Sequence, residues 1–109
     1  MRELWAMTRP SPTLSFADAG HRAAFYAVLD AADRIELARR SLNAEGRLFW
    51  AGWAARSLEK VPLYLAESKV YETTTRPLTS PLAILRRAEL LEREARVLAG
   101  SALAFGGPR

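Results

Sequence analysis

The stretch that decides the fold is residues 84–105, ILRRAELLEREARVLAGSALAF, which keeps a heptad pattern for three repeats. A large apolar residue alternates with an alanine at the heptad positions, which are Ile84, Ala88, Leu91, Ala95, Leu98, Ala102 and Phe105. Because alanine leaves little bulk between two backbones, another helix can approach this face closely. The pattern predicts a long helix that packs tightly against a second helix.

A second alanine-rich face occurs earlier in the chain. Ser15 followed three residues later by Asp18 is a capping pattern, and it predicts a helix that runs to about Leu42. The residues that share one face of this helix are Ala17, Ala24, Val28, Ala31, Ile35, Ala38 and Leu42. We expect the two alanine-rich faces, within residues 16–42 and 81–105, to pack against each other as an antiparallel pair.

Two further helices are predicted between these. Asn43 is a good N-cap for a helix of residues 44–60, and Pro62 suits the first turn of a short helix that follows. Ser80 and Pro81 mark the start of the last helix. The elements together predict an all-α fold, a small bundle of about four helices with a close-packed, alanine-rich antiparallel pair.

The domain organisation is predicted to be simple. Residues 1–14 carry two prolines and no sustained period, so they are interpreted as an extended N-terminal arm, and residues 15–109 as a single helical domain. The chain of 109 residues has no cysteine, which suits one domain in a reducing compartment. The N-terminus has no signal-peptide pattern, and the longest apolar run is far shorter than the roughly 20 residues of a membrane-spanning helix. We expect a cytoplasmic protein without a membrane span.

The second helix has two apolar faces. Its main face, which we assign to the core, consists of Trp50, Ala51, Ala54, Leu58 and Val61. Phe49, Trp53, Arg56 and Lys60 lie on a different face. Either this helix is central and contacts neighbours on both sides, or these four residues form an exposed strip that binds a partner. We interpret them as candidate partner-binding residues.

The last helix has a second apolar line as well, at Ala83, Leu90, Val97 and Ala104. A monomer of this size has too few other elements to cover both lines of this helix. Leu90 and Val97 are therefore added to the candidate partner-binding residues.

Arginine supplies nearly all of the positive charge in a chain with net charge +4 and a pI of about 10.1. Codon usage or a phosphate-binding surface would each explain this composition. Arg39, Arg40, Arg47 and Arg56 cluster around the junction of the first two helices, so they are the candidate contacts to a nucleic-acid backbone. A small nucleic-acid-associated subunit is the alternative to a protein-interaction module.

The sequence contains no catalytic, cofactor or metal signature. His21 is the only histidine, and a metal site there would need further ligands that no motif supplies. We expect it at the surface or at an edge of the bundle. The sequence thus predicts a non-enzymatic protein without a cofactor that self-associates or joins a larger complex, and it leaves the partner and the oligomeric state open.

Trp50-Ala51-Gly52, followed by alanines at 54–55, resembles the Trp-x-Gly element of the small helical-hairpin proteins exported by type VII secretion. Those proteins are also about this length and lack cysteines and a signal peptide. The resemblance implies a bend at the tripeptide between two long helices. Pro62 interrupts what would be the second long helix of such a hairpin.

Overall fold

The computed structural model describes residues 16–70 and 79–105, so the predicted arm at residues 1–14 lies outside the described part of the chain. The helices are α1 (Ala19–Arg40), α2 (Ala44–Glu59), α3 (Val61–Glu67) and α4 (Pro81–Phe105). These ranges contain no strand, so the all-α prediction is confirmed. Because α3 has only 7 residues, the fold consists of three long helices and one short helix rather than a bundle of four comparable helices.

Local capping sets where the helices begin. Asp18 is the N-cap of α1 and accepts a hydrogen bond from the backbone N–H of His21 at 3.0 Å. Asn43 caps α2 by accepting from the N–H of Gly46 at 2.7 Å, and Ser80 accepts from the N–H of Ala83 at 3.1 Å. The predicted caps at positions 43 and 80 are therefore confirmed. The first helix begins after Asp18 and not at Ser15, which lies outside the described residues.

The order of the contacts between helices gives their directions. His21 on α1 contacts Thr79 just before α4, and Arg39 near the end of α1 pairs with Glu94 further along α4. Both helices therefore run the same way, and the predicted antiparallel pairing of the first and last helices is wrong. The physical reason is that α2 is antiparallel to α1, so a second reversal of the chain before α4 restores the direction of α1.

Alanine faces are buried on all three long helices. The buried core joins Ala24, Val28, Ala31, Ile35, Ala54, Leu58, Val61, Ile84, Ala88, Leu91 and Ala95. The alanines of α1 and α4 are thus inside, as predicted, but α1 makes its most extensive contact with α2 rather than with α4. The small side chains allow three helices to pack together, and α1 and α4 do not form a single close alanine pair.

Several residues predicted for apolar faces lie outside the core. Leu42 is 92% exposed because α1 ends at Arg40 and residue 42 falls in the connection. Ala17 is exposed because it precedes α1. Trp50 and Leu98 are half-buried rather than buried. The tripeptide at residues 50–52 lies within α2, so the bend implied by the helical-hairpin resemblance does not occur there.

His21 is fully buried, not at the surface or edge as the sequence predicts. Its Nδ1 accepts a hydrogen bond from the backbone N–H of Ala17 at 3.0 Å. Because a backbone N–H can only donate, Nδ1 carries no proton, and Nε2–H donates to the carbonyl oxygen of Thr79 at 2.6 Å. Both ring nitrogens are therefore satisfied, and the ring joins the start of α1 to the segment before α4.

Gly20 allows α1 and α3 to approach closely. A Cβ atom at this position would lie 2.7 Å from the carbonyl oxygen of Tyr64 and 3.2 Å from the Cβ of Ser68. These distances are shorter than van der Waals contact, and one of the two neighbours is backbone. A side chain at position 20 would therefore push the two helices apart.

Candidate protein-interaction surface

Three aromatic side chains near the middle of α2 form one cluster. The ring centroids of Phe49 and Trp50 are 4.8 Å apart, and those of Phe49 and Trp53 are 5.9 Å apart, both edge to face. Trp50 and Trp53 are 5.7 Å apart in a tilted arrangement. Phe49 is 52% exposed and Trp53 36% exposed, so the cluster presents apolar surface to solvent.

Side chains of α1 hold this cluster in place. The guanidinium of Arg34 lies over the ring of Trp53 at 4.5 Å and over that of Trp50 at 5.3 Å. Asp30 Oδ2 accepts hydrogen bonds from Trp53 Nε1 at 3.2 Å and from Ser57 Oγ at 2.9 Å. Its Oδ1 pairs with Arg34 at 3.2 Å. The ring of Trp53 is therefore held by α1 before any partner binds.

The predicted strip of Phe49, Trp53, Arg56 and Lys60 is brought together on one exposed side of α2. We call these four residues the aromatic–cationic strip. Within the described residues, neither Arg56 nor Lys60 forms an ion pair, so both charges are free to meet a partner. The strip occupies a single continuous surface, which is the arrangement that a binding site on a helix requires.

Sequence reasoning missed the residues that support the strip. Asp30 and Arg34 lie on α1, more than fifteen positions away from the rings they contact. Their i,i+4 spacing predicts an ordinary surface ion pair on a helix and gives no sign of a tryptophan partner. Ser57 could have been found, because it lies one helical turn after Trp53 and so on the same face.

Leu90 and Val97 are 59% and 69% exposed on α4. They form a separate apolar stripe, because they lie on α4, whereas the strip on α2 packs against α1. The structure therefore does not combine all six predicted partner-binding residues in one surface. It presents two surfaces, of which the one on α2 contains the aromatic cluster that α1 contacts.

No protein-family model, no curated protein and no solved structure matches this chain significantly. The function is therefore inferred from the geometry of the chain itself.

The four arginines predicted to contact nucleic acid do not form one free basic surface. Arg39 pairs with Glu36 at 3.0 Å and with Glu94, and these contacts raise its pKa, the hydrogen bond with Glu36 contributing most. Arg40 pairs with the same Glu36 at 3.3 Å. These surface pairs are individually weak, but they neutralise the local positive charge.

Arg47 has a structural role instead. Its guanidinium donates to Ser101 Oγ on α4 at 3.1 Å and to the carbonyl oxygen of Ser41 at 3.4 Å. It therefore joins the start of α2 to the end of α4 and to the preceding connection. Of the four predicted arginines, Arg56 is the one that the described residues leave exposed and unpaired.

A second polar cluster joins the start of α1 to the end of α3. Asp18 Oδ1 accepts from Ser68 Oγ at 2.7 Å as well as from His21 N–H, and Oδ2 accepts from the N–H of Lys69 at 2.8 Å. These hydrogen bonds, led by the one from Lys69, lower the pKa of Asp18 to about 2. The cluster acts as a clamp between helices.

Neither a metal site nor a membrane-spanning helix is found in the part of the chain that the structure describes. There, no group of three or more histidine, cysteine or acidic side chains is arranged to hold a metal ion. None of the described helices combines the length and apolar character needed to cross a bilayer.

Proposed function

We propose that this chain is a non-catalytic helical module that associates with protein through the aromatic–cationic strip of α2. The observation that carries the proposal is that Phe49 and Trp53 project from a helix whose core face is already filled. Ala51, Ala54 and Leu58 on that face are buried. The exposed parts of the two rings lie outside this core face, and their exposure costs solvation free energy unless a partner covers them.

The way the strip is held also favours binding. Arg34 and Asp30 restrict the rotamers of Trp53, so less side-chain entropy is lost when a partner docks. Tryptophan and arginine are the residue types that most often carry binding energy at protein interfaces. Trp53 next to Arg56 is consequently the expected centre of the interface.

A matched pair of variants tests the proposal. The tagged full chain, Trp53→Ala and Leu42→Ala would be compared for the proteins that they retain, after circular dichroism shows that all three are folded. Leu42 is the control because it is a highly exposed apolar residue outside α2, in the connection that precedes this helix. We expect one or more proteins to bind wild type and Leu42→Ala. Their binding to Trp53→Ala should be weaker by about 2 kcal/mol or more. Retention independent of Trp53 would show that the strip is not the binding site.

Nucleic-acid binding is the second candidate, and one observation favours it. Arg56 and Lys60 are exposed beside an aromatic ring, a combination that can hold a phosphate backbone and stack a base. Binding through about six phosphates would weaken roughly 10³-fold between about 50 and 200 mM salt, whereas an apolar protein interface would respond little. Failure to retard any DNA or RNA at low salt would remove this candidate.

A further inference from the structure

Two grooves flank the end of α2, one on each side. The first, of about 400 Å³, is lined by Trp53, Arg56, Ser57, Glu59 and Lys60. The second, of about 300 Å³, lies between α2 and α4, and Glu59, Pro62, Leu85, Glu89 and Glu92 are among its lining residues. Glu59 lines both, so the two grooves adjoin. They form one continuous surface on this end of the molecule.

The two grooves differ in net charge, because the first holds two cations and Glu59, whereas the second holds three carboxylates around apolar side chains. In the first, the cations Arg56 and Lys60 lie beside Trp53. In the second, Glu59, Glu89 and Glu92 surround Leu85 and other apolar side chains. We call them the basic groove and the acidic groove.

These charges are largely unpaired within residues 16–70 and 79–105. Among the described residues, Arg56, Lys60, Glu59 and Glu89 form no ion pair, and only Glu92 has a partner, Arg96 at 3.6 Å. On α1, by contrast, Arg34, Arg39 and Arg40 are all paired with carboxylates. The end of α2 thus combines free charges of both signs with exposed apolar side chains.

We infer that a second copy of this chain docks on this surface, its basic groove against the acidic groove of the first. The inference rests on the proposed function and names the partner of the same strip. Because the two grooves adjoin, a two-fold rotation places each groove of one copy over the opposite groove of the other. Both sets of charges are then paired, and the apolar floors with Trp53 and Leu85 are covered.

The acidic groove is what favours a second copy over a nucleic acid. Phosphates would be attracted by Arg56 and Lys60, but they would be repelled by Glu59 and Glu89 alongside. A partner of mixed charge satisfies both halves, and this chain carries the matching pattern on its own surface. Such pairing also fixes the register of the two copies.

Charge reversal of each groove, followed by mixing, tests the inference. The molar mass of the full chain would be measured by sedimentation equilibrium at low salt for wild type, Arg56→Glu/Lys60→Glu and Glu59→Lys/Glu89→Lys. We expect a dimer for wild type and self-association weakened about tenfold or more in each variant, because attraction becomes repulsion. An equimolar mixture of the two variants should recover the dimer, since their grooves are again complementary.

A control variant and the remaining outcomes complete the design. Arg22→Glu/Arg40→Glu makes the same charge change at the two ends of α1 and should leave the dimer intact. A wild type that stays monomeric, or a mixture that does not recover the dimer, would overturn the inference. Binding of a poly-uridine oligonucleotide by a monomeric wild type, lost only in Arg56→Glu/Lys60→Glu, would overturn it in favour of nucleic acid.

Each of the two proposals can be overturned without the other. A monomer that still retains another protein in a Trp53-dependent manner overturns the self-association and leaves the proposed function standing. A dimer that forms equally well in Trp53→Ala supports the pairing of the grooves and contradicts the role proposed for the strip.

Discussion

Asp30 on α1 accepts a hydrogen bond from the indole N–H of Trp53 on α2, at 3.2 Å. The same carboxylate pairs with Arg34, and the guanidinium of Arg34 lies over the Trp53 ring. An exposed aromatic side chain is therefore held by a charged pair on the neighbouring helix. This explains how the strip can be both solvent-exposed and ordered.

A double-mutant cycle tests this relationship. Trp53→Phe keeps an aromatic ring but removes the N–H donor, and Asp30→Ala removes the acceptor. We expect a coupling free energy of about 0.5–1 kcal/mol between the two, measured by urea unfolding. The pair Asp30→Ala and Leu42→Ala is the control and should be additive. Additivity of the first pair as well would mean that Asp30 does not hold the indole.

The two tryptophans of the cluster should differ in their structural cost. Trp50 is half-buried beside Phe49 and Arg34, whereas Trp53 is exposed. Trp50→Ala should therefore destabilise the fold by about 2–4 kcal/mol, and Trp53→Ala by less than Trp50→Ala. Thermal unfolding of both variants measures the difference. Equal loss of stability would show that Trp53 is mainly structural, and the partner site would then be sought at Leu90 and Val97.

Gly20 should not tolerate a side chain. Gly20→Ala brings a methyl group into the carbonyl oxygen of Tyr64, and the backbone must shift to relieve the contact. We expect a loss of about 1–3 kcal/mol in the free energy of unfolding. Gly100→Ala is the matched control, because nothing lies within 4 Å of a Cβ there and alanine favours the helix. That variant should be unchanged or more stable by up to about 1 kcal/mol.

Ala95 lies in the three-helix core at 3% exposure. Ala95→Leu would add bulk where α4 meets the other helices, and should cost about 1–3 kcal/mol and lower the melting temperature. Val97→Leu enlarges an exposed residue on the same helix and should change stability little. If both variants have the same melting temperature as wild type, the buried alanine face of α4 is not closely packed.

Asp18 should make stability depend on pH in the acid range. Its pKa is about 2 in the folded protein and 3.8 without the fold, because three hydrogen bonds favour the carboxylate. The stabilisation is therefore present above pH 3.8 and is lost as the pH falls toward about 2.

Asp18→Asn is the test of that pH dependence. The stability difference between wild type and Asp18→Asn, from chemical unfolding, should shrink steadily across this acid range, because the wild-type carboxyl becomes neutral as well. A difference that stays constant with pH would show that the carboxylate charge does not contribute.

The local features of this protein could be predicted from its sequence. The caps at Asn43 and Ser80 and the proline starts depend on neighbours a few positions away, so the sequence determines them directly. The buried alanines of α1 and α4 follow from helical periodicity, and the exposed strip on α2 follows from a second apolar face on the same helix. Each of these properties depends on residues that one helix brings together.

Tertiary structure alone decided what depends on distant parts of the chain. The common direction of α1 and α4 depends on how many times the chain reverses, which alanine content does not encode. His21 is buried because Ala17 and Thr79 converge on its two ring nitrogens, and Trp53 is held by residues of α1. The acidic groove likewise exists only because α4 places Glu89 beside α2. Periodicity identifies which face of a helix is apolar, but contacts between helices determine what that face meets.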